Sequence, residues 1–269
     1  MSDQNESALR DHATRALACL DLTSLNVDDT VERIDALCDR ALQPAPGIAI
    51  HPAAVCIYPR FVAQARARLE GSAIAVAAVA NFPLGTAAID DVVTEVAGAL
   101  RDGADEIDVV FPFRAYLAGD HLAAADTVER VAILCHTGDR AAKLKVILET
   151  GVLHDAETIK AAAAVAVANG ADFVKTSTGK LEPAATPAAA AALLEVIAAA
   201  RREHHAIGLK VAGGVKTVAD AATYLDMADA VFQPGGADPS NFRFGASGLL
   251  NDIVAVLGST HAMQMSTEY

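Results

Sequence analysis

Three short apolar runs each carry a charge amid apolar residues, where a buried strand would ordinarily have none: Asp108 in EIDVVFP, Lys175 in DFVKTST and Lys210 in GLKVAGG. A fourth run, LKVILET, carries Lys145 and Glu149, four apart and so on one face of a strand. An isolated charge in a core is costly unless it is paired. Lys175 and Lys210 are one strand–helix unit apart, which places them on adjacent strands about 4.8 Å from each other. Burial and a like-charged neighbour both lower an amine's pKa. A lysine tuned in this way is partly neutral near pH 7 and can attack an aldehyde to form a Schiff base. The iminium withdraws electrons from the neighbouring carbon and permits a C–C bond to break or form there. Such chemistry needs an acid/base partner. Asp108 is one candidate. Asp21 in CLDLTSLN is another, with an ordinary turn acid before the first long helix as the competing explanation. The competing explanation for the whole set is a structural ion network, with Lys145 and Glu149 as its clearest pair.

Three glycine-bearing segments follow apolar runs and are suited to an anion: STGK (177–180), AGGVKT (212–217) and RFGASG (243–248). Glycines let backbone N–H groups approach a phosphate, and Lys180 or Lys216 adds charge. The sequence contains no H-E-x-x-H, H-x-H or Cys/His cluster, which disfavours a metal-dependent aldolase, and no dinucleotide G-x-G-x-x-G follows its first apolar run.

The elements that must position these residues are read as eight strands, at 54–59, 73–83, 106–112, 144–150, 172–178, 208–214, 229–235 and 242–247. Helices fill the intervals. Asp29-Thr-Val-Glu32 resembles a capping box, and Thr186-Pro187 reads as an N-cap followed by proline at the first helical position. Strands alternating with helices imply a parallel sheet. Eight units in 269 residues favour a closed (β/α)8 TIM barrel of the α/β class over an open doubly wound sheet. The segments RDGADEIDVV (101–110) and ANGADFVKTS (168–177) align without a gap, with DMADAVFQPG (226–235) as a weaker third copy. Gly103 and Gly170 fit left-handed helix caps. The alignment sets Asp108 level with Lys175, and alternate strands of such a barrel supply one interior layer. One domain, 1–269, is expected, with an additional N-terminal helix (1–20) and a flexible C-terminal tail (259–269).

The formal net charge of -13 and a sequence pI of about 4.9 argue against non-specific nucleic-acid binding and against docking on anionic membranes. Cys19, Cys38, Cys56 and Cys135 form no C-x-x-C pair, and the N-terminus shows no signal-peptide core. No apolar run reaches the length of a membrane span. The expectation is a cytoplasmic protein with reduced thiols and no membrane or nucleic-acid partner.

At these residues the sequence resembles the deoxyribose-phosphate aldolases. The matching stretches run in order along nearly the whole chain: LDLTSLN (20–26), VCIYPRF (55–61), NFPLG (81–85), GADEIDVVFPFRAYLAG (103–119), LKVILETG (144–151), GADFVKTSTGK (170–180), AGGVKT (212–217) and RFGAS (243–247). The resemblance implies a class I aldolase on a (β/α)8 barrel. Such an enzyme reversibly cleaves 2-deoxy-D-ribose 5-phosphate to D-glyceraldehyde 3-phosphate and acetaldehyde, in deoxyribose phosphate catabolism, with no metal or organic cofactor. It implies Lys175 as the Schiff-base lysine, Lys210 as the lysine that tunes it, and Asp108 as the acid relaying protons through a water. Asp21, Thr23 and Thr178 match polar residues lining the substrate pocket. Gly179, Lys180, Gly213, Gly214, Gly245 and Ser247 match phosphate-binding loops. Tyr269 matches a terminal tyrosine that reaches the site in many bacterial members, and Cys56 matches a family cysteine near the pocket. Val211 and Gly248 depart from the pattern, Gly248 standing where a second serine is usual. Family members are often dimers, so a homodimer fits the resemblance. The alternatives are another Schiff-base phosphosugar aldolase of the same fold, or a non-catalytic barrel that binds a sugar phosphate.

Overall fold

A computed structural model describes residues 3–137, 141–203 and 205–266, the side chains of 3, 4 and 259–266 apart. Eight parallel strands close into a barrel in chain order: β1 (Leu20–Thr23), β2 (Ala54–Ile57), β3 (Ala75–Ala80), β4 (Glu106–Val110), β5 (Lys143–Ile147), β6 (Phe173–Lys175), β7 (Gly208–Ala212) and β8 (Phe242–Ala246). The N-terminal helix α1 (Asp3–Ala18) precedes them and packs on the last two helices. Around the barrel run α2 (Val31–Leu42), α3 (Val62–Arg68), α4 (Ile89–Arg101), α5 (Phe113–Leu117), α6 (His121–Thr137), α7 (Thr150–Leu153), α8 (Ala156–Ala168), α9 (Pro187–Arg202), α10 (Val218–Val231) and α11 (Leu249–Ser266). None of these helices is long and apolar enough to cross a membrane.

Two of the expected strands need correction. The first barrel strand is LDLT, whose four residues with an acid in second place gave too short a signal. The segment 229–235 is not a strand. Val218, Ala221, Tyr224, Leu225 and Ala228 form one buried helical face, and that period carries α10 through to Val231. The repeat at 101–110 and 168–177 does mark equivalent places, because it leads into β4 and β6, and Gly103 and Gly170 take φ of 103° and 98°. Thr186 caps α9 through Ala189 N–H, with proline at the start of the helix. The cap of α2 is Thr30, not Asp29, which instead accepts bonds from Ser24 and Asn26. A reciprocal capping box occurs at Thr217 and Asp220.

Side chains alternate along every strand. Outward residues such as Leu20, Leu22, Val55, Ile57, Ile107, Val109, Leu144, Val146, Leu209 and Val211 are buried under the helices in one continuous core. Each large aliphatic among them contributes about 1.5–3 kcal/mol. The alanine-rich faces of α8 and α9 let these two helices pack closely against each other. Inside the barrel, Ala54, Cys56, Ala77 and Val79 form a separate small apolar cluster beneath Leu25. Most of the rest of the interior is charged.

The strand register explains how the charges meet. Followed strand by strand, the Cα partners lead from position 21 back to position 13, a stagger of eight residues. That is the stagger of the common eight-stranded barrel. An interior layer therefore climbs one residue per strand relative to the hydrogen-bonded row. Three layers follow: Ala54, Glu106, Phe173 and Arg243 at the bottom; Asp21, Ala77, Lys145 and Lys210 in the middle; Cys56, Asp108, Lys175 and Gly245 on top.

Candidate active site

The top and middle layers hold the residues singled out by chemistry. Lys175 and Lys210 are direct Cα partners on β6 and β7. Asp108 is the Cα partner of Lys145, and that row reaches β6 at Phe173. Two strands of climb bring Lys175, not Phe173, level with Asp108. Asp108 Oδ1 accepts from Lys145 Nζ at 2.8 Å, and Oδ2 accepts from both Lys175 Nζ and Lys210 Nζ at 2.7 Å. Asp21 Oδ2 accepts from Lys210 Nζ at 2.5 Å and lies 3.4 Å from Lys145 Nζ, while Asp21 Oδ1 accepts from Arg243 at 2.6 Å. Arg243 also pairs with Glu106 at 2.8 Å, and Glu106 pairs with Lys145 as well.

The number of carboxylates each cation meets decides its charge. Lys145 meets Asp21, Glu106 and Asp108, and Lys210 meets Asp21 and Asp108. Burial disfavours both ammonium forms, but Asp108 with Glu106 and Asp21 holds Lys145 above its ordinary pKa, and Asp108 with Asp21 does the same for Lys210. Among the described residues Lys175 meets only Asp108. Burial first, and then the Lys210 charge, push its amine below the ordinary value, and Asp108 opposes this only in part. Burial also disfavours the Asp108 carboxylate, yet Lys145, Lys175 and Lys210 hold its pKa well below the usual range. The three layers contain the acids Asp21, Glu106 and Asp108 and the bases Lys145, Lys175, Lys210 and Arg243. With Lys175 neutral, these charges balance.

Above the top layer, at the C-terminal ends of the strands, lies a cavity of about 550 Å³. Thr23, Thr178, Gly179, Lys180, Gly213, Gly214, Lys216, Gly245 and Ser247 all line it. The loops after β6 and β7 are tied together: Ser177 donates to Ala212 O at 2.6 Å, and Thr176 Oγ1 accepts from Ala212 N at 3.0 Å. A Cβ on Gly213 would stand 3.2 Å from Gly179 Cα, so glycine permits this close approach, with φ at 85° and 73° for the two residues. Gly245 belongs both to the cavity wall and to the top layer. A Cβ there would come within 3.0 Å of Lys210 Cε, so glycine at this point of the wall leaves room for Lys210 behind it; Lys175, Lys210 and Asp108 themselves are not among the lining residues.

Asp21 does not line the cavity; it is wholly buried in the middle layer and reaches the site through Lys210. The Lys145–Glu149 pair that the competing ion-network explanation called for does not form. Glu149 lies beyond the end of β5 with φ of 57° and accepts from Thr178. Cys56 stands in the top layer with Sγ 3.9 Å from Asp108 Oδ2, and burial raises its pKa. Tyr269 lies outside the described residues. Sequence reasoning missed Glu106, Arg243 and the orientation of Glu149. Glu106 could have been found two residues before Asp108, on the same strand face. Arg243 could have been found between Phe242 and Phe244, where alternation turns it inward.

The chain resembles known proteins at three levels. Residues 11–253 match the family described as DeoC/LacD family aldolase. The deoxyribose-phosphate aldolase of Agrobacterium fabrum (strain C58) is 44% identical over 97% of both chains. A crystal structure from Toxoplasma gondii ME49, of a chain assigned provisionally as a deoxyribose-phosphate aldolase, superposes with a TM-score of 0.81 at 27% identity, covering 94% of this chain and 98% of that one. A tetrameric deoxyribose phosphate aldolase from Aeropyrum pernix superposes with a TM-score of 0.72 over 98% of this chain and 100% of that one; at 24% identity it speaks to the fold alone.

Proposed function

Since this chain belongs to the DeoC/LacD aldolase family, we propose that it reversibly cleaves 2-deoxy-D-ribose 5-phosphate to D-glyceraldehyde 3-phosphate and acetaldehyde through a Schiff base on Lys175. The observation that carries this reading is the asymmetry among the buried lysines near a cavity rimmed by glycine loops: Lys145 meets three carboxylates and Lys210 two, whereas Lys175 meets one among the described residues, and burial lowers its pKa.

In the cleavage direction the neutral Lys175 amine attacks C1 of the open-chain aldehyde, and loss of water from the carbinolamine gives the iminium. The C3 hydroxyl gives up its proton, the C2–C3 bond breaks, and its electrons enter the iminium to form an enamine. Glyceraldehyde 3-phosphate leaves. Protonation of the enamine at C2 and hydrolysis release acetaldehyde and restore the amine. Asp108 is the proton carrier, acting through a water. With three ammonium partners its carboxylate is a weak base. When Lys175 is neutral it loses one of them and becomes more basic. Thr23 and Thr178 bind substrate hydroxyls, and Asp21 acts from behind the site by holding Lys210. The phosphate is placed on Gly179, Lys180, Gly213, Gly214, Gly245 and Ser247. A homodimer is part of the proposal; the Aeropyrum pernix relative is a tetramer by its description, and sedimentation equilibrium decides between the two.

The direct test is to mix the protein with acetaldehyde, reduce with borohydride and map the modified peptide by mass spectrometry. An ethyl group on Lys175 is expected; a folded sample with no adduct would favour a barrel that only binds a sugar phosphate. A panel of phosphosugars separates this reading from another aldolase of the same fold.

Two further results are expected. Lys210→Leu removes the like charge beside Lys175 and releases Asp108 to pair with it more fully. The Lys175 pKa should therefore rise, moving the pH–rate limb to higher pH and lowering activity at pH 7 by about tenfold for each pH unit the limb moves. A limb that stays in place would count against the tuning role. Lys180→Ala should cut the preference for the phosphorylated sugar over 2-deoxyribose by about tenfold, the worth of one charge-assisted contact. An equal loss for both sugars would place the phosphate elsewhere.

A further inference from the structure

The β5–β6 ladder ends in an irregularity. Leu148 N donates to Lys175 O at 2.9 Å, and Thr150 N donates to Thr176 O at 2.8 Å. Donors two residues apart thus meet adjacent acceptors, and Glu149 between them is surplus to the ladder, as in a β-bulge. It takes φ 57° and ψ 58°, a left-handed conformation uncommon for a residue with a side chain. Bulges at barrel rims re-aim side chains, and here the result is a carboxylate turned away from the lysine layers. Glu149 is wholly buried and has no ion-pair partner among the described residues. Burial raises its pKa. Its Oε2 accepts from Thr178 N at 3.1 Å and from Thr178 Oγ1 at 2.6 Å, while Oε1 has no hydrogen-bond partner among the described residues.

Thr178 passes the constraint on. Its Oγ1 accepts from Lys180 N at 3.1 Å, with Gly179 at φ 73° between them. Glu149 therefore holds the hydroxyl and amide of Thr178, and Thr178 holds the amide of Lys180. All three loop residues line the cavity, whereas Glu149 lies behind it. A carboxyl that is expensive to bury, strained at its backbone and unpaired in charge needs a return from what it holds.

We propose that Glu149 is a positioning residue: it locks the Thr178–Lys180 loop in the shape that anchors the phosphorylated end of the substrate and takes no part in proton transfer. The inference rests on the aldolase reading above and goes beyond it by assigning a residue that touches no substrate.

The test compares Glu149→Ala, Glu149→Gln and Glu149→Asp in steady-state kinetics with 2-deoxyribose 5-phosphate, alongside acetaldehyde trapping and thermal melts. Glu149→Ala is expected to raise KM by about tenfold or more, with kcat within about threefold at saturation and the Lys175 adduct still formed. Glu149→Gln keeps an oxygen for both Thr178 donors and should recover most of the lost affinity, with its pH–rate profile in the parent position. Glu149→Asp keeps the charge but withdraws the oxygen by one methylene, so KM should rise again. It serves as the main test if the alanine variant fails to fold. A folded Ala or Asp variant with the parent KM overturns the proposal. So does a Gln variant with kcat as low as that of Ala and a displaced pH limb, which would make Glu149 a proton carrier. Failure of the parent protein itself to form the adduct would defeat the aldolase reading instead.

Discussion

Lys175→Met is expected to abolish turnover and borohydride trapping while leaving the barrel folded. Neither of the other buried amines can take its place. Lys210 and Lys145 each meet two or three carboxylates and stay charged, and a charged amine is no nucleophile. The loss in kcat/KM should be about 10⁴-fold or more, as for removal of a covalent nucleophile. The fold should survive because methionine fills similar volume and Asp108 keeps Lys145 and Lys210 as partners. Stability carries a second signature. The folded pKa of Lys175 lies below its ordinary 10.5, so between the two values the unfolded chain binds more protons and this group's contribution to stability rises with pH. Methionine removes that dependence. The variant should therefore melt higher than the parent below the folded pKa, and the advantage should shrink as pH climbs toward the unfolded value. Melts across a pH series measure this. A gap that grows with pH, or appreciable residual turnover, would remove Lys175 from its assigned role.

Asp108→Asn should damage both activity and stability. Among the described residues Asp108 is the only carboxylate that Lys175 meets, and it also binds Lys145 and Lys210. Removing its charge leaves an excess of buried cations, at a cost of about 3–5 kcal/mol, reduced to the extent that one lysine releases its proton. The sign with pH follows from its depressed folded pKa. Its contribution is fully present above the unfolded value of about 3.9 and is lost as pH falls toward the folded one. The gap in melting temperature between parent and variant should thus be wide at neutral pH and close in acid. Activity should fall by about 10³-fold, within the usual range for a general acid/base group. Lys175, freed of its carboxylate, stays neutral and should still form an adduct with acetaldehyde, more slowly. A folded variant with parent turnover would leave Asp108 a structural residue only.

Much of the site could be read from local pattern. Lys175 and Lys210 sit in runs whose other residues must be buried, and one strand–helix unit between them makes them neighbours in any parallel barrel. The loops after β6, β7 and β8 announced themselves by glycine. The level of Asp108 with Lys175 also came through, because the repeated Ala-Asp entry marks equivalent points on β4 and β6. The strand count was correct only because two errors cancelled. LDLT is too short to show alternation, and the apolar run at 229–235 belongs partly to the last turn of α10, whose period extends over residues that a short window does not weigh.

Local pattern was enough to say which residues face inward, which strands carry charge, and where the glycine loops fall, because alternation and turn chemistry act over a few residues. Which charges meet was settled by closure of the barrel. Asp21, Glu106, Asp108, Lys145, Lys175, Lys210 and Arg243 come from six strands, and their contacts follow from the barrel's stagger of eight residues. That stagger gives Lys145 three carboxylates and Lys175 one. One surplus residue at the end of β5 turns Glu149 toward Thr178 and away from the lysine it seemed spaced to meet. A pKa depends on the sum of all such neighbours in a poorly screened interior, so the lowered pKa of Lys175 is a property of the closed barrel and not of any one strand.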